Sequence, residues 1–418
     1  MKLVVIGLGY VGLPLALEAT RAGLTVTGLD TSEARVAALA AGSSHVDDIS
    51  DAELAAAVAD GFAATTDPTV LAGADVAVIC VPTPLRDGQP DLSAVEAATA
   101  AVAAHLHAGM LVVLESTTYP GTTEDVVRPA LEAGGLRAGT DFSLAFSPER
   151  IDPGNAHFTL RNTPKVVGGV TPDCTERAAA FYGQVVDIVV RVKSSREAEM
   201  AKLLENTYRH INIALVNEMA VFCHELGVDL WESIDAARTK PFGFQAFSPG
   251  PGVGGHCIPI DPSYLSYAVR NTGREFRFVE LAQSINDGMP QHVVDRTAEL
   301  LTRHGKELAG ARVLLLGVTY KAGVADMRET PATDVERRFT RQGARVSYHD
   351  PLVPAWSVDG VAVPRVEDLA EALAGCDVAV LLTAHAEYDP ETVVSRAPLL
   401  FDSRGHTRAL VRETVEQL

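Results

Sequence analysis

A glycine-rich turn between an apolar strand and a helix constrains this chain most. KLVVIGLGYVGLPLALEATRAG runs from a strand through Gly7-Leu8-Gly9-Tyr10-Val11-Gly12 into a helix that Gly23 closes. Glycines at 7, 9 and 12 allow a tight turn, close approach of a pyrophosphate and close helix packing, with the helix N-terminus facing the phosphates. Tyr10 and Val11 complete the turn. The next strand, LTVTGLD, ends on Asp30, eighteen residues beyond Gly12. A carboxylate there accepts hydrogen bonds from both ribose hydroxyls and repels a 2′-phosphate, so NAD is expected rather than NADP. The bland alternative is a glycine turn in an unliganded α/β fold.

Strands at VAVICVP and MLVVLEST, with helical stretches between, predict a parallel, doubly wound sheet. Pro82 and Thr83 end one strand at the carboxyl edge, where they would line the nicotinamide ribose. Ser116 and Thr117 end another, where ligands of such sheets lie; capping the next segment is the plainer role. A helical stretch from about Ser195 to Leu226 exceeds ordinary helix length and reads as a spine. It leads into KPFGFQAFSPGPGVGGHCIPIDP, a loop too long and irregular for a plain connector. After a helix expected around 289–305, ARVLLLGVTY opens a second strand–helix–strand unit. The fold class is therefore α/β: two Rossmann-like doubly wound parallel-sheet domains (1–194 and 306–418) joined by a long central helix and a helical middle domain (195–305).

Composition narrows the function. The 418 residues are 47% hydrophobic, enough for a sizeable core, and carry a formal net charge of −19, which argues against nucleic acid as a partner. A few local cations can still bind an anionic small molecule. Apolar runs are strand-length, well short of a membrane span, and the chain opens directly on a core strand; a cytoplasmic protein is expected. The five cysteines show neither a disulfide framework nor metal-ligand spacing, so no metal is expected.

Cys257, in Gly254-Gly255-His256-Cys257, differs from the rest. Glycine-flanked backbone offers N–H groups to an oxyanion, and a nearby positive field lowers a thiol's pKa; the alternative is a buried loop thiol. Glu199, Lys202 and Asn206 share one face of the spine helix, as a solvated stripe or as a cation and an amide aimed at developing negative charge. Glu149, after a short apolar strand, is either a general base or an ion-pair partner.

In combination these segments resemble the UDP-glucose/GDP-mannose dehydrogenase family along essentially the whole chain. The carrying motifs are GLGYVG, VPTP, ESTTYPGTT, SPERIDPGN, AEMAKLLENTYRHINIALVNE, the Gly/Pro-rich loop and GVTYKAGVADMRETPA. The resemblance implies that Cys257 is the nucleophile of a two-step oxidation of a sugar C6 alcohol, through a thiohemiacetal and a thioester. It implies that Asp261 assists the thiol and water chemistry, that Lys202 and Asn206 stabilise the oxyanion, and that Thr117 and Glu149 position or activate water. Lys321 and Arg328 match positions facing the nucleotide and the domain interface. Phe247, Gly254, His256 and Arg150 fall on motifs expected to bind substrate, and a homodimer or larger assembly through the central helix is implied.

Two departures from the UDP-glucose enzymes stand out. Ile258-Pro259-Ile260 lacks the lysine those enzymes place between Cys and Asp, and Pro153 stands where they carry a second glutamate. Both loops resemble the subgroup acting on UDP-N-acetylglucosamine, which is the expected substrate. Open alternatives are UDP-glucose, dTDP-glucose or UDP-N-acetylmannosamine, a two-electron β-hydroxyacid-type dehydrogenase, and a non-catalytic NAD-binding regulator. The C-terminal third argues against the β-hydroxyacid type, and Cys257, Lys202 and Asn206 together argue against the regulator.

Overall fold

The computed structural model describes every residue except Asp47, Asp87, Pro153, Ala156, His256 and Cys257. The chain forms two compact units, one of residues 1–205 and 263–275 and one of residues 206–262 and 276–418. The 195–305 segment contributes to both.

In the first unit, strands β1 (Lys2–Ile6), β2 (Thr25–Leu29), β3 (Ala63–Thr65), β4 (Val76–Ile79), β5 (Leu111–Leu114), β6 (Ser143–Phe146), β7 (Lys165–Gly169) and β8 (Val189–Arg191) form one sheet in the order β8-β7-β6-β5-β4-β1-β2-β3. Six of them give the 3-2-1-4-5-6 order of dinucleotide-binding sheets, with the chain reversal between β1 and β4. The turn leads into helix α1 (Gly12–Arg21). Alternate side chains pack on opposite faces, Leu3 and Val5 with Val26 and Val78, Val4 and Ile6 with Ala77 and Ile79. Burial on both faces explains why these strands read as unbroken apolar runs. Each fully buried aliphatic side chain contributes about 1.5–3 kcal/mol. The sheet is not wholly parallel: β6 and β7 run antiparallel, pairing Phe146 with Gly168. The described residues of the 147–164 stretch between them form no helix, and this antiparallel junction departs from the all-parallel expectation.

Helix α2 (Pro172–Tyr182) packs on this sheet. Helix α3 then runs unbroken from Ser195 to Leu226. Its sequence holds neither Gly nor Pro, and it stops at Gly227, whose φ of 66° is the left-handed stop favoured by glycine. Helix α4 spans Asp261–Arg270. Helix α5 spans Arg277–Arg303, starting well before the expected residue 289. Pro290 is buried inside the helix, where it withholds one N–H from the ladder.

In the second unit, β9 (Arg312–Leu316), β10 (Arg345–His349), β11 (Val378–Leu381), β12 (Leu400–Asp402) and β13 (Val415–Gln417) form an all-parallel sheet in the order β10-β9-β11-β12-β13. Helix α6 (Pro331–Arg341) packs on it through Val335 and Phe339. This is the 2-1-3-4-5 doubly wound order, with its own reversal between β9 and β11. No helix among the described residues is long and apolar enough to cross a membrane.

Candidate active site

At the carboxyl edge of the first sheet, three strand ends meet. Gly7 has φ 90°, and a Cβ there would lie 2.6 Å from the Cys80 carbonyl oxygen; a Cβ on Gly12 would lie 1.9 Å from the Gly7 carbonyl oxygen. Both positions accept only glycine. A Cβ on Gly9 would meet nothing within 4 Å, so the backbone is open there for a close-approaching phosphate. Leu8 lies under the turn, while Tyr10 and Val11 are half-buried. Asp30 is buried and accepts N–H bonds from Leu8 and Ser32, both at 2.9 Å, with the Arg35 guanidinium also at 2.9 Å. Burial opposes its ionisation, but these donors outweigh it and hold the carboxyl below the ordinary range. This donor set fits a dinucleotide, whose adenosine ribose would meet an ionised Asp30. Ser116 donates to the Val81 carbonyl at 2.7 Å, tying β5 to β4. Pro82 is exposed, Thr83 buried and Thr117 half-buried at that edge. Its neighbour Thr118 is buried, with a hydroxyl that has no hydrogen-bond partner among the described residues.

Beyond β6, Glu149 is held from two sides. One carboxylate oxygen accepts the N–H groups of Arg150 and Ile151, each at 2.6 Å; the other lies 3.4 Å from the Lys165 ammonium. Lys165 also sits 3.0 Å from Glu115, which accepts the Tyr182 hydroxyl. The sequence reading missed Glu115, Lys165 and Tyr182. The available signal was a charge at the edge of each otherwise apolar run, LVVLE and KVVGG. Arg150 is not directed to open space: its guanidinium grips Glu205 and donates to the Pro164 carbonyl at 2.6 Å.

On α3, Glu199 is fully buried and accepts Gly121 N–H, Thr123 N–H and the Thr123 hydroxyl at 2.6–2.8 Å. It is scaffold, fastening the helix to the loop after β5. Lys202, one turn on, is buried and Asn206 half-buried.

In the second unit, Asn206 donates its amide to Asp261, the buried first residue of α4. The Gly/Pro-rich loop lies against the segment after β9. A Cβ on Gly254 would meet the Glu329 carbonyl oxygen at 2.7 Å, and one on Gly255 the Tyr320 ring at 2.9 Å. Gly255 also donates its N–H to the Arg328 carbonyl at 3.0 Å. The backbone around Lys321 and Arg328 and the Gly254-Gly255 pair thus share one surface, an association their 70-residue separation concealed. The Arg328 side chain is paired with Asp326, and Phe247 packs edge-on to Tyr208 at 5.8 Å. His256 and Cys257 lie outside the described residues.

Comparison with known proteins supplies the family. Residues 1–186 match the NAD binding domain of the UDP-glucose/GDP-mannose dehydrogenase family, residues 196–288 its central domain and residues 314–409 its UDP binding domain. The chain belongs to the UDP-glucose/GDP-mannose dehydrogenase family. A UDP-N-acetyl-D-glucosamine 6-dehydrogenase of Pseudomonas aeruginosa is 37% identical over 358 residues, 85% of this chain and 84% of that protein. A UDP-N-acetyl-D-mannosamine dehydrogenase of Pyrococcus horikoshii is 35% identical over 390 residues, 93% of this chain and 90% of that one. A solved structure described as a UDP-D-ManNAc dehydrogenase from Pyrococcus horikoshii superposes with a TM-score of 0.90 at 32% identity, covering 100% of this chain and 99% of the other. As a member of the UDP-glucose/GDP-mannose dehydrogenase family, the chain is an NAD-dependent oxidoreductase with a UDP binding domain in its C-terminal third.

Proposed function

We propose that this dehydrogenase oxidises the C6 alcohol of UDP-N-acetylglucosamine to the carboxylate in two hydride transfers through a Cys257 thioester. The Asn206–Asp261 hydrogen bond carries the reading, since it joins two residues proposed for catalysis that stand 55 positions apart. NAD held at the glycine turn and Asp30 would supply the hydride acceptor for both oxidations. The net change converts CH2OH, water and two NAD+ to COO−, two NADH and three H+.

The Cys257 sulfur adds to the C6 aldehyde, giving a thiohemiacetal whose oxyanion Lys202 and Asn206 stabilise; loss of the second hydride leaves a thioester. Glu149 takes a proton from water, whose oxygen bonds to C6 as the C6–S bond breaks and the electron pair returns to sulfur. Thr117 helps position that water, and Asp261 assists the thiol. Gly7, Gly9, Tyr10, Val11, Gly12, Asp30, Pro82, Thr83 and Ser116 hold the cofactor. Phe247, Gly254, His256, Arg150, Lys321 and Arg328 recognise the nucleotide sugar, and Lys321 is also assigned to cofactor binding.

The N-acetylated substrate rests on the SPERIDPGN and GGHCIPIDP loops and on relatives named for N-acetylated sugars. The mannosamine epimer is the second reading, favoured by the structural neighbour named for it. Initial rates with the two UDP-N-acetyl sugars and UDP-glucose separate them: the fastest identifies the substrate, and UDP-glucose leading would overturn the N-acetyl assignment.

We also infer a dimer through α3. Leu204, Tyr208, Leu215, Phe222 and Leu226 recur at helical spacing and are all at least 42% exposed, Leu226 at 69%. An apolar stripe of this length suits a second copy of the chain. Light scattering giving a dimer mass, reduced to monomer by Leu215→Glu, is the expected result.

A further inference from the structure

Behind Glu149 lies a buried charge cluster that the chemistry above does not use. Lys165 opens β7, Glu115 follows β5 and Tyr182 closes α2. The side chains of Lys165 and Glu115 are 5% and 0% exposed, and the ammonium lies 3.0 Å from Glu115 and 3.4 Å from Glu149. It also sits 5.3 Å from the centre of the Tyr182 ring. One cation therefore serves two carboxylates in a closed site. Such an arrangement is expensive to desolvate, and apolar residues of equal volume commonly stabilise as well or better. Its retention asks for a role other than stability.

The geometry supplies one. Glu115 and the Tyr182 ring flank the Lys165 ammonium, which also lies 3.4 Å from one Glu149 oxygen. The other Glu149 oxygen is occupied by the Arg150 and Ile151 N–H groups. Burial pushes the Glu115 carboxyl up, and the Lys165 ammonium 3.0 Å away opposes that shift. Burial pushes the Cys80 thiol and the Tyr182 phenol up, so both stay neutral. Burial alone would lower Lys165, but Glu115 and Glu149 outweigh it and keep the ammonium charged. The adjacent Arg150 is matched by Glu205.

We propose that Lys165 is a positioning residue for the hydrolytic step: anchored by Glu115, its ammonium holds Glu149 as an oriented carboxylate ready to take the proton of the attacking water. The proposal rests on the reading of Glu149 as the water-activating base. The water proton passes to Glu149, the C6–S bond breaks toward sulfur, and Lys165 itself neither gains nor loses a proton.

The test is rapid-mixing NADH kinetics on the full-length enzyme with UDP-N-acetylglucosamine. It compares Lys165→Met, Lys165→Arg and the charge-balanced double variant Lys165→Met/Glu115→Gln. The double variant removes one charge of each sign and so keeps the net charge of the closed site, covering a failure of Lys165→Met to fold. Loss of the ammonium removes the positive neighbour that orients Glu149. Steady-state turnover should then fall by about a hundredfold, the usual weight of a general base, while the NADH burst persists. The acid limb of the turnover profile should move to higher pH, and Lys165→Arg should restore most of the rate. An unchanged burst-to-turnover ratio and pH profile in the double variant would overturn the proposal. Glu149→Gln distinguishes the underlying reading: if it too leaves burst and turnover in the wild-type ratio, Glu149 is not the base and both readings fail.

Discussion

Asp350 stands in the C-terminal sheet where Asp30 stands in the N-terminal one. Each carboxylate follows the second strand and accepts the N–H of the residue after the first strand's glycine, Leu8 at 2.9 Å and Val318 at 2.7 Å. Each also accepts the N–H two residues further on, from Ser32 and from Leu352. The glycines agree too: Gly7 and Gly317 have φ of 90° and 75°, and each lies against a strand-end carbonyl, that of Cys80 or Thr383. The environments then diverge. Asp30 keeps a half-exposed Arg35 beside it, whereas Asp350 is closed off by the fully buried His385 at 3.2 Å. One scaffold serves a ligand at the first sheet and locks a loop at the second.

From the first carboxylate follows a cofactor prediction. Asp30→Ala removes a charged acceptor from the adenosine ribose, a change of about 1.5–3 kcal/mol or about ten- to a hundredfold in NADH affinity. Fluorescence titration with NADH and NADPH should show that loss for NADH together with a weaker preference between the two. Unchanged NADH affinity would remove Asp30 from the site.

From the second follows a stability prediction. Asp350→Ala leaves the Val318 and Leu352 N–H groups buried without their acceptor, costing about 2–5 kcal/mol. Urea unfolding should show the loss in the transition of the second unit, with NADH affinity retained.

A pH dependence comes from His210, buried on α3. The Gly250 N–H donates to Asn217, the Asn217 amide to Asn286, and the Asn286 amide faces His210 Nδ1 at 3.5 Å. A backbone N–H can only donate, so the direction of the chain requires Nδ1 to accept and the ring to be neutral. Burial agrees, pushing the imidazole down to about 4. The unfolded chain takes up a proton near pH 6.5 and the folded one only near 4, so stability is full above about 6.5 and is lost as pH falls toward 4. The loss is about 3 kcal/mol, and His210→Gln should flatten that part of the unfolding profile.

The glycine loop yields the fourth. Gly254→Ala drives a Cβ against the Glu329 carbonyl oxygen at 2.7 Å, displacing the loop that leads to Cys257. Sugar turnover should drop more than about tenfold, in line with misplaced reacting groups, while NADH titration stays normal. Equal turnover would show that loop placement does not matter to the chemistry.

Local patterns in the sequence carried much of this. The GLGYVG turn, Asp30 and the Ser195–Leu226 helix were legible because period, capping and spacing are local properties. The long-range associations were not. Lys165 meets Glu115 across 50 residues, through strands whose antiparallel junction no local pattern records. Glu199 and Lys202 looked alike as members of one polar stripe, yet Glu199 is consumed by Gly121 and Thr123.

The most direct test of the account is the yield of NADH per mole of UDP-N-acetylglucosamine, run to completion with wild type and Cys257→Ser. Two NADH per sugar, abolished or cut to a single slow equivalent in Cys257→Ser, is the predicted result. One NADH per sugar from the wild type, or two from Cys257→Ser at the wild-type rate, would contradict the thioester mechanism.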